Sequence, residues 1–239
     1  MSSMEEAIVE ALRDHRSAHR KSDTHYLPKD VADLIETNPF AFLVGSVFQR
    51  GIPWRKAWEI PFHIDQRGML EPSKLASATE GELRAFIDDL PVRPRYPNRG
   101  VRTLKETADL VEAFGGNAAA IWTGPPPRVV RQLLQGIYGV GPGIANMVVL
   151  LLCDQYGFFQ GQEHEIDIKP DVHVLRVLNR SGLIESEDEG LAICATRRLA
   201  PHYPAELDWP SWDIGQRWCH RTNPDCVNCP LTGVCPRLI

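Results

Sequence analysis

The sequence predicts an all-α protein, and three observations lead there. Apolar residues recur at helical spacing through successive segments. Proline, glycine and capping residues punctuate those segments. Neither strand-period alternation nor an internal repeat interrupts them. With 239 residues and 43% hydrophobic content the chain can bury a sizeable core, in one domain or two closely packed ones.

Taken in order, residues 4–20 set Ala7, Ile8, Ala11 and Leu12 on one side of a charged helix that docks against something. Residues 25–29 form a loop and 28–35 a short helix, which breaks at Thr37-Asn38-Pro39. From Pro39 the almost wholly apolar run to Phe48 reads as a core helix, with Gly45 admitting a close neighbour. It stops at Gln49-Arg50-Gly51-Ile52-Pro53-Trp54. Helices follow at 54–62, 72–78 and 80–90, the last two separated by Ser77 and Thr79 capping signals. Prolines 94 and 97 make 92–100 a loop. Helical spacing returns at 103–114, where Leu104, Ala108, Val111 and Phe114 share a face and Gly115-Gly116 ends it. Residues 122–127 are a rigid connector, and 128–137 form a helix burying Val129, Leu133 and Leu134. The final helices fall at 171–181, 190–199 and 209–217.

The organising stretch is 136–176. Gly139-Val140-Gly141 is a tight turn between two apolar helical runs, and the run Ile144 to Leu152 presents its first N–H groups where phosphate oxygens bind well. A hairpin of this kind grips a nucleic-acid backbone. After a polar, glycine-bearing connection at 156–167, Lys169-Pro170 breaks the chain and Asp171 caps the run Val172-His173-Val174-Leu175-Arg176-Val177-Leu178. The net charge of −5 excludes an evenly positive coat. Positive charge is nonetheless gathered at Arg93, Arg95, Arg99, Arg102 and Lys105, interleaved with Tyr96 and Asn98, and again at Arg50, Arg55 and Lys56 around Trp54. A solvated face is the plain alternative for either run.

The hairpin followed by Pro-Asp and Val-His-Val-x-Arg-Val resembles the helix-hairpin-helix DNA glycosylase superfamily, and Cys219-x6-Cys226-x2-Cys229-x5-Cys235 resembles the four-iron cluster loop of its endonuclease III branch. The resemblance implies a two-lobed fold. A six-helix barrel lobe would span 39–164 and carry the hairpin at about 128–153. A discontinuous helical lobe, 1–38 with 165–239, would end in the cluster loop at 219–235. It implies an enzyme that hydrolyses the N-glycosidic bond of a damaged or mispaired base flipped out of double-stranded DNA, with Asp171 catalytic. Gln49 and Arg50 would stand at the gap left by the extruded base, and Gly139, Gly141, Gly143 and Ile144 on the DNA backbone. Trp54 and Tyr138 would offer walls to a flipped base, although either residue reads equally well as core.

Four of the six cysteines lie in a segment broken by Pro224, Pro230 and Gly233, too short to bury a core of its own, so something inorganic must hold it. Thiolates suit zinc or iron–sulfur, and their number does not separate the two. The 6-2-5 spacing resembles the glycosylase loop and thereby implies a structural [4Fe–4S] cluster on Cys219, Cys226, Cys229 and Cys235. Cys153 and Cys194 read as buried small hydrophobes.

Cleaving an N-glycosidic bond builds positive charge on the sugar, which a carboxylate stabilises while orienting water. Bifunctional members of the superfamily carry a lysine where this chain has Gly143, so the resemblance implies a monofunctional enzyme. Lys169 keeps a glycosylase-lyase open, and an inactive DNA-binding protein on the same scaffold is the third reading. Glu165 and Asp167 read as solvated loop acids. Adenine-specific members of the superfamily carry a glutamate in the helix before the wedge, to protonate the leaving base. Residues 43–47 offer no acid, so the resemblance favours a base that departs readily: an alkylated purine, uracil, or thymine opposite guanine. No segment approaches the ~18 apolar residues of a membrane span, and the N-terminal residues lack signal-peptide order. A cytoplasmic, nucleoid-associated monomer is the expectation.

Overall fold

A computed structural model describes residues 2–239, and among them every regular element is helical. The chain divides into two compact units. One joins residues 1–21 to 150–239, and the other is 22–149. These units divide at 21/22 and 149/150, whereas the lobes implied by the resemblance would meet at 38/39 and 164/165. The short turn at 23–26 and the helix after it pack within the second unit, and the first boundary moves with them.

The 22–149 unit contains α2 (Lys29–Thr37), α3 (Pro39–Val47), α4 (Trp54–Asp65), α5 (Pro72–Ser77), α6 (Glu80–Asp88), α7 (Pro97–Ala113) and α8 (Pro127–Gln135). Asn38 starts α3 by accepting the N–H groups of Phe40 and Ala41 at 2.9 and 3.1 Å, with Pro39 in the first turn where its missing donor is not needed. Phe40 to Val47 are all buried, which an all-apolar helix requires. Gly45 is the close approach read from the sequence: a Cβ there would stand 2.4 Å from the Trp58 ring. Thr79 and Glu82 form a reciprocal capping box at the head of α6. Helix α7 begins at Pro97, so the expected 92–100 loop is shorter. A proline signals a helix start as readily as a break when it occupies the first turn. On α8 the buried face is Val130 and Leu134, with Val129 and Leu133 half-buried, one position round from the expected set.

Helix α9 (Pro142–Tyr156) contains the second boundary. The 1–21/150–239 unit is built from α1 (Ser3–His19), the end of α9, α10 (Val172–Arg180), α11 (Glu189–Leu199) and α12 (Asp208–Arg217). On α1 the buried residues are Ile8, Val9, Leu12 and His15. Ala11 is half-buried and Ala7 exposed, so the docked face is rotated from the one read in sequence. Ile8, Val9 and Leu12 join Ile168, Val174, Val177, Leu178, Leu199, Leu207 and Ile214 in one core. Gly215 lets α12 run close to α10, since a Cβ there would lie 2.8 Å from both Cβ and O of His173. Cys194 is exposed, contrary to expectation, because α11 turns Ala192, Ala195 and Leu199 inward instead. Cys153 is half-buried.

Candidate functional site

In the 1–21/150–239 unit, Asp171 occupies the N-cap of α10. Its Oδ1 accepts the N–H of His173 at 2.9 Å and of Val174 at 3.1 Å. Its own N–H donates to Lys169 O at 2.7 Å, closing a tight turn across buried Pro170. Among the described residues Oδ2 makes no hydrogen bond. The carboxyl group is half-buried and the adjacent Val172 is 64% exposed, so one oxygen is anchored while the other remains available at an accessible helix start. An anion so held has the pre-organisation that stabilises developing positive charge.

A second carboxyl supports this turn. Lys169 N–H donates to Asp208 Oδ2 at 2.5 Å. Burial pushes the Asp208 carboxyl up to about 7, the Asp171 and Asp154 charges add to the rise, and the Lys169 amide and ammonium oppose it. Sequence reasoning missed Asp208, since nothing local ties residue 208 to residue 169. Asp167 corrects a further expectation. It is 3% exposed rather than solvated and accepts Nε and Nη2 of Arg197 at 2.7 and 2.8 Å, because its fully buried neighbours Ile166 and Ile168 draw the segment into the core. Glu165 and Lys169 are half-buried.

From the same helix, Arg176 and Arg180 reach the cysteine loop. Arg176 is 7% exposed and donates to the carbonyls of Cys219, Val172 and Gly215 at 2.5, 3.1 and 2.8 Å. Arg180 donates to the carbonyls of His220 and Arg221 at 2.7 and 3.0 Å and lies 3.7 Å from Cys219 Sγ. Cys219, Cys226, Cys229 and Cys235 are half-buried, form no disulfide, and line one cavity whose other walls include Val177, Ile214 and Leu231. Burial, with the neighbouring thiols adding to it, pushes the Cys229 thiol up to about 11, and burial raises Cys235 as well. Among the described residues no three His, Cys, Asp or Glu groups converge as the ligands of a single ion do. The four cysteines around this apolar cavity are soft donors that suit zinc or iron–sulfur alike.

In the 22–149 unit the hairpin tip is held by α7. Tyr138 N–H donates to Glu106 Oε2 at 2.6 Å, and Thr103 Oγ1 donates to Tyr138 O at 2.8 Å. Gly139 takes φ of +84°, a left-handed conformation that favours glycine, with Thr103 Oγ1 3.2 Å from where its Cβ would be. Gly141 is exposed and Gly143 half-buried. Ile144 is 7% exposed, so it offers a ligand its backbone N–H and not its side chain. The Arg102 guanidinium lies 4.2 Å over the Tyr138 ring. Trp54 is likewise occupied, with Arg55 at 4.9 Å over its ring and Tyr26 edge-on at 6.2 Å. Both aromatic faces are thus already partnered by residues of their own unit.

Half-buried Gln49 donates through Nε2 to Trp54 O at 3.3 Å, while Arg50 is exposed and Gly51 turns the chain with φ of +73°. Arg50, Arg95, Tyr96, Arg99, Thr103 and Gly139 line one pocket. Tyr96, 47% exposed, is flanked by Arg95 and Arg99 at 5.6 and 5.4 Å from its ring centroid. Sequence flagged the basic run and the hairpin separately, and the fold brings both to one cavity with Arg50.

No family model matches the chain. It is similar to an endonuclease III homologue of Encephalitozoon cuniculi, 25% identical over 179 residues, a match spanning 67% of this chain and 65% of that one, just under two thirds of the relative's length. Among solved structures it is similar to a thermostable thymine-DNA glycosylase (TM-score 0.66, 15% identity, 98% and 96% of the two chains). It is also similar to endonuclease III trapped in a covalent intermediate with DNA (TM-score 0.61, 20% identity, 89% and 94%). The fold is shared with these structures, and the expected all-α class holds.

Proposed function

We propose that this protein is a DNA glycosylase of the endonuclease III type, hydrolysing the N-glycosidic bond of a damaged or mispaired base in duplex DNA and leaving an abasic site. The carrying observation is Asp171, with Oδ1 fixed by two backbone donors and Oδ2 uncommitted. Such a carboxylate stabilises a cationic sugar and aligns water for attack. The sequence similarity to an endonuclease III homologue and the fold shared with glycosylase structures support the reading. Gly143 in the first turn of α9 favours water over an amine nucleophile. The hairpin N–H groups and the Arg50, Arg95 and Arg99 pocket supply donors and positive charge for the DNA backbone. The four loop cysteines would hold a [4Fe–4S] cluster, which when bound supplies cross-linking of the loop and requires their thiols to ionise.

The test is a panel of duplexes, each with one lesion or mismatch, incubated with protein and divided, half being treated with hot alkali. A T·G mismatch heads the panel, given the similarity to a thymine-DNA glycosylase. Breaks only after alkali support the proposal. Breaks without alkali would move the chemistry to an amine such as Lys169, and no breaks on any duplex would leave a DNA-binding protein. Asp171→Asn retains a capping side chain and should keep duplex affinity while excision falls by about a hundredfold or more.

A further inference from the structure

Asp208 begins α12, yet its carboxyl group acts outside that helix, on the amide of Lys169. Pro170 has no N–H, and the N–H groups on either side of it are both engaged: Lys169 N–H donates to Asp208 Oδ2 at 2.5 Å, and Asp171 N–H to Lys169 O at 2.7 Å. Both converge on the Lys169 peptide groups. Ile168 and Pro170 are buried on either side, so the segment has little freedom other than rotation about those contacts. We propose that Asp208 is a positioning residue for Asp171, holding the Lys169-Pro170-Asp171 turn through the Lys169 amide. This deepens the glycosylase reading and depends on it.

The charged groups acting on Asp208 are Lys169, Asp171 and, from α9, Asp154. Asp154 is itself bound by Arg16 at 2.7 Å and by the Tyr203 hydroxyl, so its charge is largely answered locally. Burial first, then the Asp171 charge, holds the Asp208 carboxyl up at about 7 against the Lys169 amide and ammonium. Protonated, it is a weaker acceptor for the Lys169 N–H. Ionised, it tightens that hydrogen bond and adds a field of the same sign as Asp171, and both changes favour a cationic sugar. Excision should accordingly gain an alkaline-rising limb that belongs to Asp208.

Single-turnover excision at saturating protein, followed from about pH 5.5 to about pH 8.5, separates these roles. Wild-type protein should show a limb with a midpoint near 7. Asp208→Asn keeps an acceptor oxygen but cannot titrate, and should lose that limb while binding the same duplex within about twofold of wild type. Asp208→Ala should lower the rate about tenfold to a hundredfold and accelerate hydrogen exchange at the Lys169 amide. An Asp208→Asn profile superposing on that of an active wild type overturns the inference, as does a Lys169 amide equally protected in Asp208→Ala. Lack of excision by wild-type protein on every duplex overturns the glycosylase reading and this role with it. Melting curves identify a variant that has simply failed to fold, in which case the Asn variant alone decides.

Discussion

Asp208 also carries a stability prediction with a definite sign. Its carboxyl is raised from the ordinary aspartate value to about 7, so between those limits the folded protein holds a proton that the unfolded chain has released. Its contribution to stability is therefore greatest at low pH and is lost as pH rises through about 7. Asp208→Asn should raise the melting temperature relative to wild type above pH 7, with the gain shrinking towards pH 4, even as it removes the pH-dependent limb of the rate. A difference that is constant with pH would refute the assignment of that proton. Asp171 was legible in sequence because proline, aspartate and an apolar run occur consecutively and each has a local meaning. Asp208 and the Asp167–Arg197 pair were not, since a contact across 39 or 30 residues leaves no local trace.

At the level of elements, the hairpin depends on α7. Thr103 is 6% exposed and donates to the Tyr138 carbonyl directly before Gly139, so it sets the backbone whose N–H groups would meet phosphate. Thr103→Val keeps the shape and the charge but leaves that carbonyl without its donor. We expect duplex affinity to weaken about threefold to tenfold, with excision at saturating protein unchanged. A reduced saturated rate with normal affinity, measured by anisotropy and single-turnover kinetics, would contradict this placement. Most helices could be located from sequence, because their caps and prolines lie beside them, as Asn38, Thr79 and Asp188 do. Buried faces were harder. On α1 and α8 the inward side differs by about one position from the apolar pattern, since the partner helix decides which of several apolar residues it covers.

Across the whole molecule, the net charge of −5 coexists with a local basic pocket, so composition alone understated the potential for binding DNA. On the proposed [4Fe–4S] reading, Cys226→Ser should lower the iron content and visible absorbance of the purified protein and its melting temperature, because the loop has no core of its own. Full iron content in that variant would remove Cys226 from the ligand set. The cysteine spacing was the most local signal in the chain and could be read directly. The pocket of Arg50, Arg95, Arg99 and Gly139 was not readable, because it joins three separate segments. One further consequence follows from the discontinuous unit. Ile8, Val9 and Leu12 share a core with Ile168, Val174 and Ile214, and His15 pairs with Asp213 at 2.9 Å. At translation rates of about 5–20 residues per second, the nascent first helix emerges from the ribosome roughly ten to forty seconds before the partners that cover it. Until then its oily side is open to chaperones, and this slow, long-range closure makes α1 the part of the chain most exposed to misassembly during synthesis.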